Sequence, residues 1–345
     1  MITKLFLSIM LIILSTLITI NSTAQSSNTS SSYKAGQTFR DCPDCPEMVV
    51  IPAGSFMMGS PETETGPILD TPQTPLEGPQ KRITIKQFAC GKFDITKKQW
   101  AEFVKQTNRK TTGGCMFAML PTSDSTQPWL PDTAANWNHV GFAQDSTHPA
   151  ICLSWTDAND YVQWLSKKTG LTYRLLTEAE WEYADRAGTT TSYYWGNTAS
   201  REYANYGDDS VAGKGFAAGR DKWLYTSPVG SFPPNRFGLY DMNGNAIQWV
   251  EDCLSITYSN LNSDGTAFKN DIPLKFAQGY FSVVNGKGAC GFHAARGGGY
   301  GDTPKFIRSA ARNFAPLPGT MTPDLSRSSG SGFRVARAFK NNTLE

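Results

Sequence analysis

Seven cysteines and only three histidines, His139, His148 and His293, limit the chemistry open to this chain. So few imidazoles argue against a multi-histidine metal centre or a Ser-His-Asp triad. A different chemistry is suggested by Phe237 to Asp252, which reads Phe-Gly-Leu-Tyr-Asp-Met-Asn-Gly-Asn-Ala-Ile-Gln-Trp-Val-Glu-Asp. Two short apolar runs flank Asn243-Gly244-Asn245, residue types that accept left-handed backbone and whose side chains bond nearby amides. The triplet predicts a tight corner between buried segments. It reads as a structural turn, and its carbonyls and amide oxygens could also hold a hard cation such as calcium, which takes about six to eight oxygen ligands. Among the cysteines, Cys42-Pro43-Asp44-Cys45 has redox spacing, but no thioredoxin-like pattern follows it, so a structural bond is expected. Cys115 with Cys152 and Cys253 with Cys290 are plausible pairs because each member flanks a loop insertion, which leaves one cysteine over; the sequence does not fix the connectivity.

The frame that must position these residues begins with an export signal. Lys4 precedes an apolar run from Leu5 to Ile20 and then Ser22-Thr23-Ala24, a small-x-small cleavage site. Residues 1–24 are read as a signal peptide rather than an uncleaved anchor, and the mature chain is expected to be periplasmic or secreted, with no membrane span after cleavage. Residues 25–45 are expected to form a flexible leader carrying the Cys-x-x-Cys, 46–339 one domain and 340–345 a tail. A formal charge of +2 with 18% charged residues gives no nucleic-acid footprint. With 31 Gly, 20 Pro and 9 Trp, the domain should be rich in loops and held by aromatic burial.

Glu47 to Met58 predicts an opening hairpin, a buried strand followed by a Pro-Ala-Gly turn and a second strand. Ile83–Ile85 and Phe88–Phe93 resume strand character, after a surface loop from Pro61 to Gln80. Three helices are announced by one device: Thr96 stands three before Gln99, Ser154 three before Asp157 and Thr177 three before Glu180, the spacing of a capping box. Trp100, Phe103 and Val104 form one apolar stripe, and Ala158, Tyr161, Val162 and Leu165 another, both read as core. Gly170 and Gly188 are expected to stop the second and third helices. Lys110 to Pro149, with Trp129, Trp137 and Phe142, is either an ordered insertion or a binding surface. Few helices, short strands and long loops define an irregular α+β class.

Five motifs in succession carry a resemblance. They are Tyr173-Arg174-Leu175-Leu176-Thr177-Glu178-Ala179-Glu180-Trp181-Glu182, Pro233-Pro234-Asn235, the Gly-Leu-Tyr-Asp-Met-Asn-Gly-Asn corner, Arg296-Gly297-Gly298-Gly299 and Gly332-Phe333-Arg334. Together the segments resemble the formylglycine-generating enzyme, or sulfatase-modifying factor, family over roughly Pro46 to Phe339. The resemblance implies a C-type-lectin-like fold with little regular structure, and two calcium ions. For the first ion it implies oxygens from Asn205, Tyr206, Asp221 and Trp223. For the second it implies Asn243, Gly244 and Ala246, with Gln248 in place of the family's carboxylate, a substitution expected to weaken the site. Family enzymes bind copper(I) through two cysteines downstream of Arg-Gly-Gly and use oxygen to convert a substrate cysteine to formylglycine. Soft thiolates suit that ion, yet Arg296 to Arg312 contains no cysteine. Asp302 falls where the first would be and Pro304 where the second would be, while Gly299 replaces a serine. Copper is therefore not expected, nor is copper-dependent formylglycine formation.

Two functional classes follow, with a third kept beside them. The first is a calcium-stabilised binding or maturation factor for an exported protein or a small molecule, with Arg296, Asp302, Lys305, Arg308 and Arg312 as pocket residues. The second is an enzyme, using protein-cysteine oxidation or the siderophore-maturation chemistry of similar exported members, with Asp302, His293 and Glu251 as candidate catalytic groups. The third is an adhesion or scaffold module, since lectin-like folds host many binding functions.

Overall fold

The computed structural model describes residues 33–339 except 63, 65–75, 111–113, 119–128, 209–210, 256, 270–289, 291–292 and 314–326. The expected signal peptide, the start of the leader and the tail lie outside the described residues, as do parts of the Pro61 to Gln80 and Lys110 to Pro149 loops and the side chain of Trp129.

The described part of the expected leader, from Tyr33 to Cys45, carries a strand and aromatic contacts. Strand β1 (Thr38–Phe39) pairs antiparallel with β2 (Met48–Ile51). The Tyr33 ring lies 4.7 Å from both Phe39 and Phe339. Arg40 Nη1 donates to the Cys45 carbonyl at 2.7 Å. Two aromatic residues thus anchor a stretch whose polar composition reads as disordered. The expected hairpin is also rearranged: β3 (Gly54–Met58) pairs with β4 (Lys81–Ile85), whereas β2 pairs with β5 (Phe88–Gly91). Pro52 follows β2 directly and has no N–H to donate, so the ladder ends there and the chain passes to another sheet.

Helix α1 (Lys97–Thr107) leads through strands β6 (Cys115–Ala118) and β7 (Trp129–Asp132) to α2 (Trp155–Thr169), β8 (Tyr173–Leu175) and α3 (Glu178–Arg186). All three capping boxes form as expected, each hydroxyl accepting from the third amide and the third side chain accepting from the cap amide. Asn108, Gly170 and Ala187 take the left-handed conformation that closes the three helices, so the cap of α3 stands one residue before Gly188. The short pair β9 (Gly207–Asp208) and β10 (Val211–Gly215) precedes β11 (Ile247–Cys253), β12 (His293–Arg296), β13 (Arg312–Asn313), β14 (Ser331–Phe333) and β15 (Val335–Ala338).

Two sheets organise the fold. One has the order β1-β2-β5-β15-β8 and the other β13-β12-β11-β14, with β14 parallel to β11. Trp100, Phe103, Tyr161, Trp249 and Phe333 fill a core between α1, α2 and the sheets, while Trp181, Met242, Val250 and Tyr258 fill a second under α3. This is the irregular α+β architecture the pattern predicts. Disulfides join Cys42–Cys45, Cys115–Cys152 and Cys253–Cys290, leaving Cys90 free and buried. No helix among the described residues is long and apolar enough to cross a membrane.

Ser154 is buried, and its hydroxyl accepts the Asp157 amide at 3.1 Å at the start of α2. Ser154→Ala is expected to cost about 1 kcal/mol and to lower the melting temperature by roughly 2–4 °C. Thermal denaturation followed by circular dichroism checks this; an unchanged midpoint would remove the cap from the account of α2.

Candidate functional site

The Asn243-Gly244-Asn245 corner is built as its residue types require. Gly244 has φ +82°, and a Cβ there would stand 2.1 Å from the Asn205 carbonyl oxygen, so only glycine fits. Its amide donates to the Gly297 carbonyl at 2.7 Å. Asn245, at φ 64°, accepts from the Ser227 amide at 2.9 Å, and Asn243 Nδ2 donates to the Ile307 carbonyl at 2.8 Å. One corner therefore clamps the segments carrying Asn205, Ser227, Gly297 and Ile307.

Those bonds place Asp302, which follows the Gly297–Gly299 turn. Its Oδ2 accepts from the Gly299 amide at 2.7 Å, and its carbonyl accepts from the Gly207 amide at 2.7 Å. Burial pushes the Asp302 carboxyl up to about 6, against the lowering effect of the Gly299 bond. Tyr300, buried two residues before it, bonds Ser329 Oγ through its hydroxyl and packs edge-on against Phe142 and Tyr225. Phe142 and Tyr225 stack with centroids 4.2 Å apart, and Tyr225 is 45% exposed. Asp302 thus follows the ring cluster of Tyr300 by two residues, with a carboxyl that burial raises to about 6.

The other candidate acid–base groups stand elsewhere. His293 Nδ1 lies 3.3 Å from the Asp252 carbonyl, and its ring stacks on Trp155 at 3.6 Å. Burial pushes it down to about 4, so it is neutral at pH 7. Glu251 pairs with Lys269 at 2.9 Å. His293 therefore lies against β11 beside Asp252, and Glu251 is engaged by Lys269.

Most of the expected pocket arginines are structural. Arg296 is fully buried, ion-paired with Glu182 and bonded to the Ala310 carbonyl at 2.9 Å. Arg312, also buried, grips Glu178 through Nε at 2.6 Å and Nη2 at 2.8 Å. Arg308 binds Glu77 at 2.8 Å and Glu64 at 2.5 Å. Only Lys305 is exposed. The expectation that Arg296 and Arg312 face a cleft is corrected: their glutamate partners come from α3, more than a hundred residues upstream, a pairing that local sequence does not reveal.

In both expected calcium sets some of the oxygens already accept hydrogen bonds. In the first, Asn205 Oδ1 is buried without a hydrogen-bond partner, as a metal ligand could be. But Arg201 Nη1 already donates to the Tyr206 carbonyl at 2.6 Å and to Asp221 Oδ2 at 3.1 Å. In the second, Gln248 Oε1 accepts from both Trp181 Nε1 at 2.8 Å and Arg334 Nε at 2.9 Å, so donors occupy the oxygen a cation would need. Among the described residues no group of three or more His, Cys, Asp or Glu side chains could hold a metal. For copper the thiols are committed: six cysteines form disulfides, Cys290 among them, and burial pushes the thiol of Cys90 up to about 12. Sequence reasoning missed Arg201, Tyr225 and Tyr300, and named Phe142 only within a loop read as an ordered insertion or a binding surface. Tyr300 stands directly after the glycine run, but Phe142 and Tyr225 lie in segments without periodicity.

The sequence profile described as "Sulfatase-modifying factor enzyme 1-like domain" matches residues 34–339. Formylglycine-generating enzyme from Bos taurus is 34% identical over 242 residues, covering 62% of this chain and 59% of that protein. Inactive C-alpha-formylglycine-generating enzyme 2 from Bos taurus is 33% identical over 227 residues, covering 59% of this chain and 69% of that protein. The alignment thus spans about three fifths of the bovine enzyme's length. Among solved structures, that of PvdO from Pseudomonas aeruginosa superposes with a TM-score of 0.68 at 35% identity, covering 89% of this chain and all of that one.

Because Glu178 faces both Arg312 and Arg296 with no exposure, Glu178→Gln is expected to lose about 3–5 kcal/mol of stability by leaving buried positive charge uncompensated. Lys305→Ala, at an exposed side chain, should stay within about 0.5 kcal/mol. Urea denaturation of both variants makes the comparison, and a Glu178→Gln protein as stable as the wild type would refute the role given to the ion pairs.

Proposed function

This chain belongs to the sulfatase-modifying factor family, and from that premise we propose that it is an exported binding or maturation factor for another exported protein or a small molecule. Its working group in this reading is Asp302, and two-thiolate copper chemistry plays no part. The observation that carries the proposal is the state of Asp302, which the resemblance aligns with a family cysteine. One carboxylate oxygen is fixed by the Gly299 amide, and the group is tuned by burial to about 6. Such a carboxyl loses its proton just below neutral pH, so above about 6 it accepts a proton or binds a positive group. Exposed Tyr225, stacked on Phe142, offers a flat apolar surface beside buried Tyr300. The side chains a two-cysteine copper site would need are absent from Arg296 to Arg312, and the free thiol left by the three disulfides is the buried Cys90. Export is supported by those disulfides, which persist in oxidising compartments, and by the leading Lys4 and Leu5 to Ile20 pattern.

In the source organism, deleting the coding sequence is expected to cause an unprocessed exported protein or small molecule to accumulate, read by mass spectrometry of the periplasm and medium. Wild-type protein should restore processing, and Asp302→Asn, made to equal abundance, should not. Once the product is identified, the wild-type rate in extract should rise between about pH 5 and 7 as Asp302 deprotonates, and the residual rate of Asp302→Asn should be flat there. Full restoration by Asp302→Asn would reject the assignment of Asp302.

A further inference from the structure

The environment of Arg201 differs from that of an ordinary surface arginine. Its guanidinium lies over two rings, 4.0 Å from the Tyr206 centroid and 4.8 Å from that of Phe216. Its Nη1 donates to the Tyr206 carbonyl at 2.6 Å, to the Phe216 carbonyl at 2.6 Å and to Asp221 Oδ2 at 3.1 Å. Nη2 donates to the Gly207 carbonyl at 2.6 Å. Four oxygens from three chain segments converge on one positive group. Two of them, the Tyr206 carbonyl and the Asp221 carboxylate, belong to the set that the resemblance gives to a first calcium ion.

We infer that the guanidinium of Arg201 stands in for that calcium, so that this chain carries the cation of its first site as a covalent part of itself. A calcium ion requires its oxygens at roughly 2.3–2.6 Å and a nearly complete shell of them. Oxygens already hydrogen-bonded to a guanidinium are turned toward a second positive charge, and the two cations would repel at short range. A planar guanidinium with five donors reaches several carbonyls at once, and the nearby faces of Tyr206 and Phe216 favour it further. The substitution keeps what the metal would supply structurally, a positive centre joining Tyr206, the start of β9, Phe216 and Asp221. It also removes dependence on external calcium. The cost falls on Asn205, whose Oδ1 is left buried without a hydrogen-bond partner while its Nδ2 donates to the Tyr225 carbonyl at 2.8 Å.

The test compares melting temperatures after chelation and in millimolar calcium for the mature wild type, Asp221→Asn, Arg201→Gln and the Arg201→Gln/Asp221→Asn double variant. The wild type is expected to show no calcium-dependent rise that Asp221→Asn abolishes. Arg201→Gln should melt about 3–6 °C lower after chelation and recover most of that loss with calcium, while the double variant should not recover. If Arg201→Gln fails to fold without calcium, its folding on calcium addition gives the same support. Arg201→Lys, which keeps the charge, should fold and remain insensitive to calcium. A wild-type rise lost in Asp221→Asn, or an Arg201→Gln defect that calcium does not restore, would overturn the inference.

Discussion

Two glutamates and two arginines with almost no exposure have to be paired before this fold can exist. Glu178 and Glu182 stand one turn apart on α3, the spacing that puts two side chains on one helix face. Arg296 and Arg312 are direct neighbours across β12 and β13, so two like charges lie side by side inside the protein. Each buried charge carries a desolvation penalty of several kcal/mol, and the glutamates of α3 offset it together with backbone carbonyls, those of Ser309 and Ala310 on Arg296 and those of Leu76 and Ser255 on Arg312. Rings complete the enclosure, Trp181 against Arg296 and Tyr258 against Arg312. The arrangement fixes the angle of α3 on the sheet and leaves little freedom to the strands on either side.

The neighbourhood of Asp302 inherits that rigidity. β12 runs from His293 through the buried Arg296 into the Gly297–Gly299 turn, and the asparagine corner holds the same turn through Gly297. Asp302 hangs from this doubly anchored segment, so its position follows from structure on both sides of it. Backbone groups around it are engaged in internal bonds, the Gly299 amide with Asp302 Oδ2 and the Asp302 carbonyl with the Gly207 amide. That fits a family in which one scaffold carries names as different as a formylglycine-generating enzyme and an inactive relative. A preserved frame with a replaced reactive group is how a fold changes function without changing shape.

Positive charge is used the same way throughout the molecule. Arg334 is enclosed by Gly91 and Tyr240 carbonyls and the Gln248 side chain. Arg308 clamps the Glu77 segment to the site loop. Arg201 gathers four oxygens near β9. In a domain with few regular elements, many carbonyls are not satisfied by ladders or helices, and a guanidinium with five donors satisfies several at once. Arginines that appear in the sequence as a charged pocket are largely the fasteners of its loops.

What the sequence determines by itself is local. The three capping boxes, the stripes through Trp100 and Tyr161, the glycine corner at Gly244 and the irregular α+β class depend on contacts a few residues apart, where residue type and spacing carry the physics directly. The glycine at 244 was legible because only that residue accepts the turn, although the reason it must lack a side chain, the Asn205 carbonyl, lies in another segment. Tertiary structure alone decided that β2 and β3 enter different sheets, that Tyr33 to Cys45 pack on the domain, that Arg296 and Arg312 are interior, and that Arg201 reaches the Asp221 carboxylate. Each of these depends on a partner far along the chain, and whether a charge is solvated, paired or aimed at a ligand is set by that partner rather than by its neighbours in sequence.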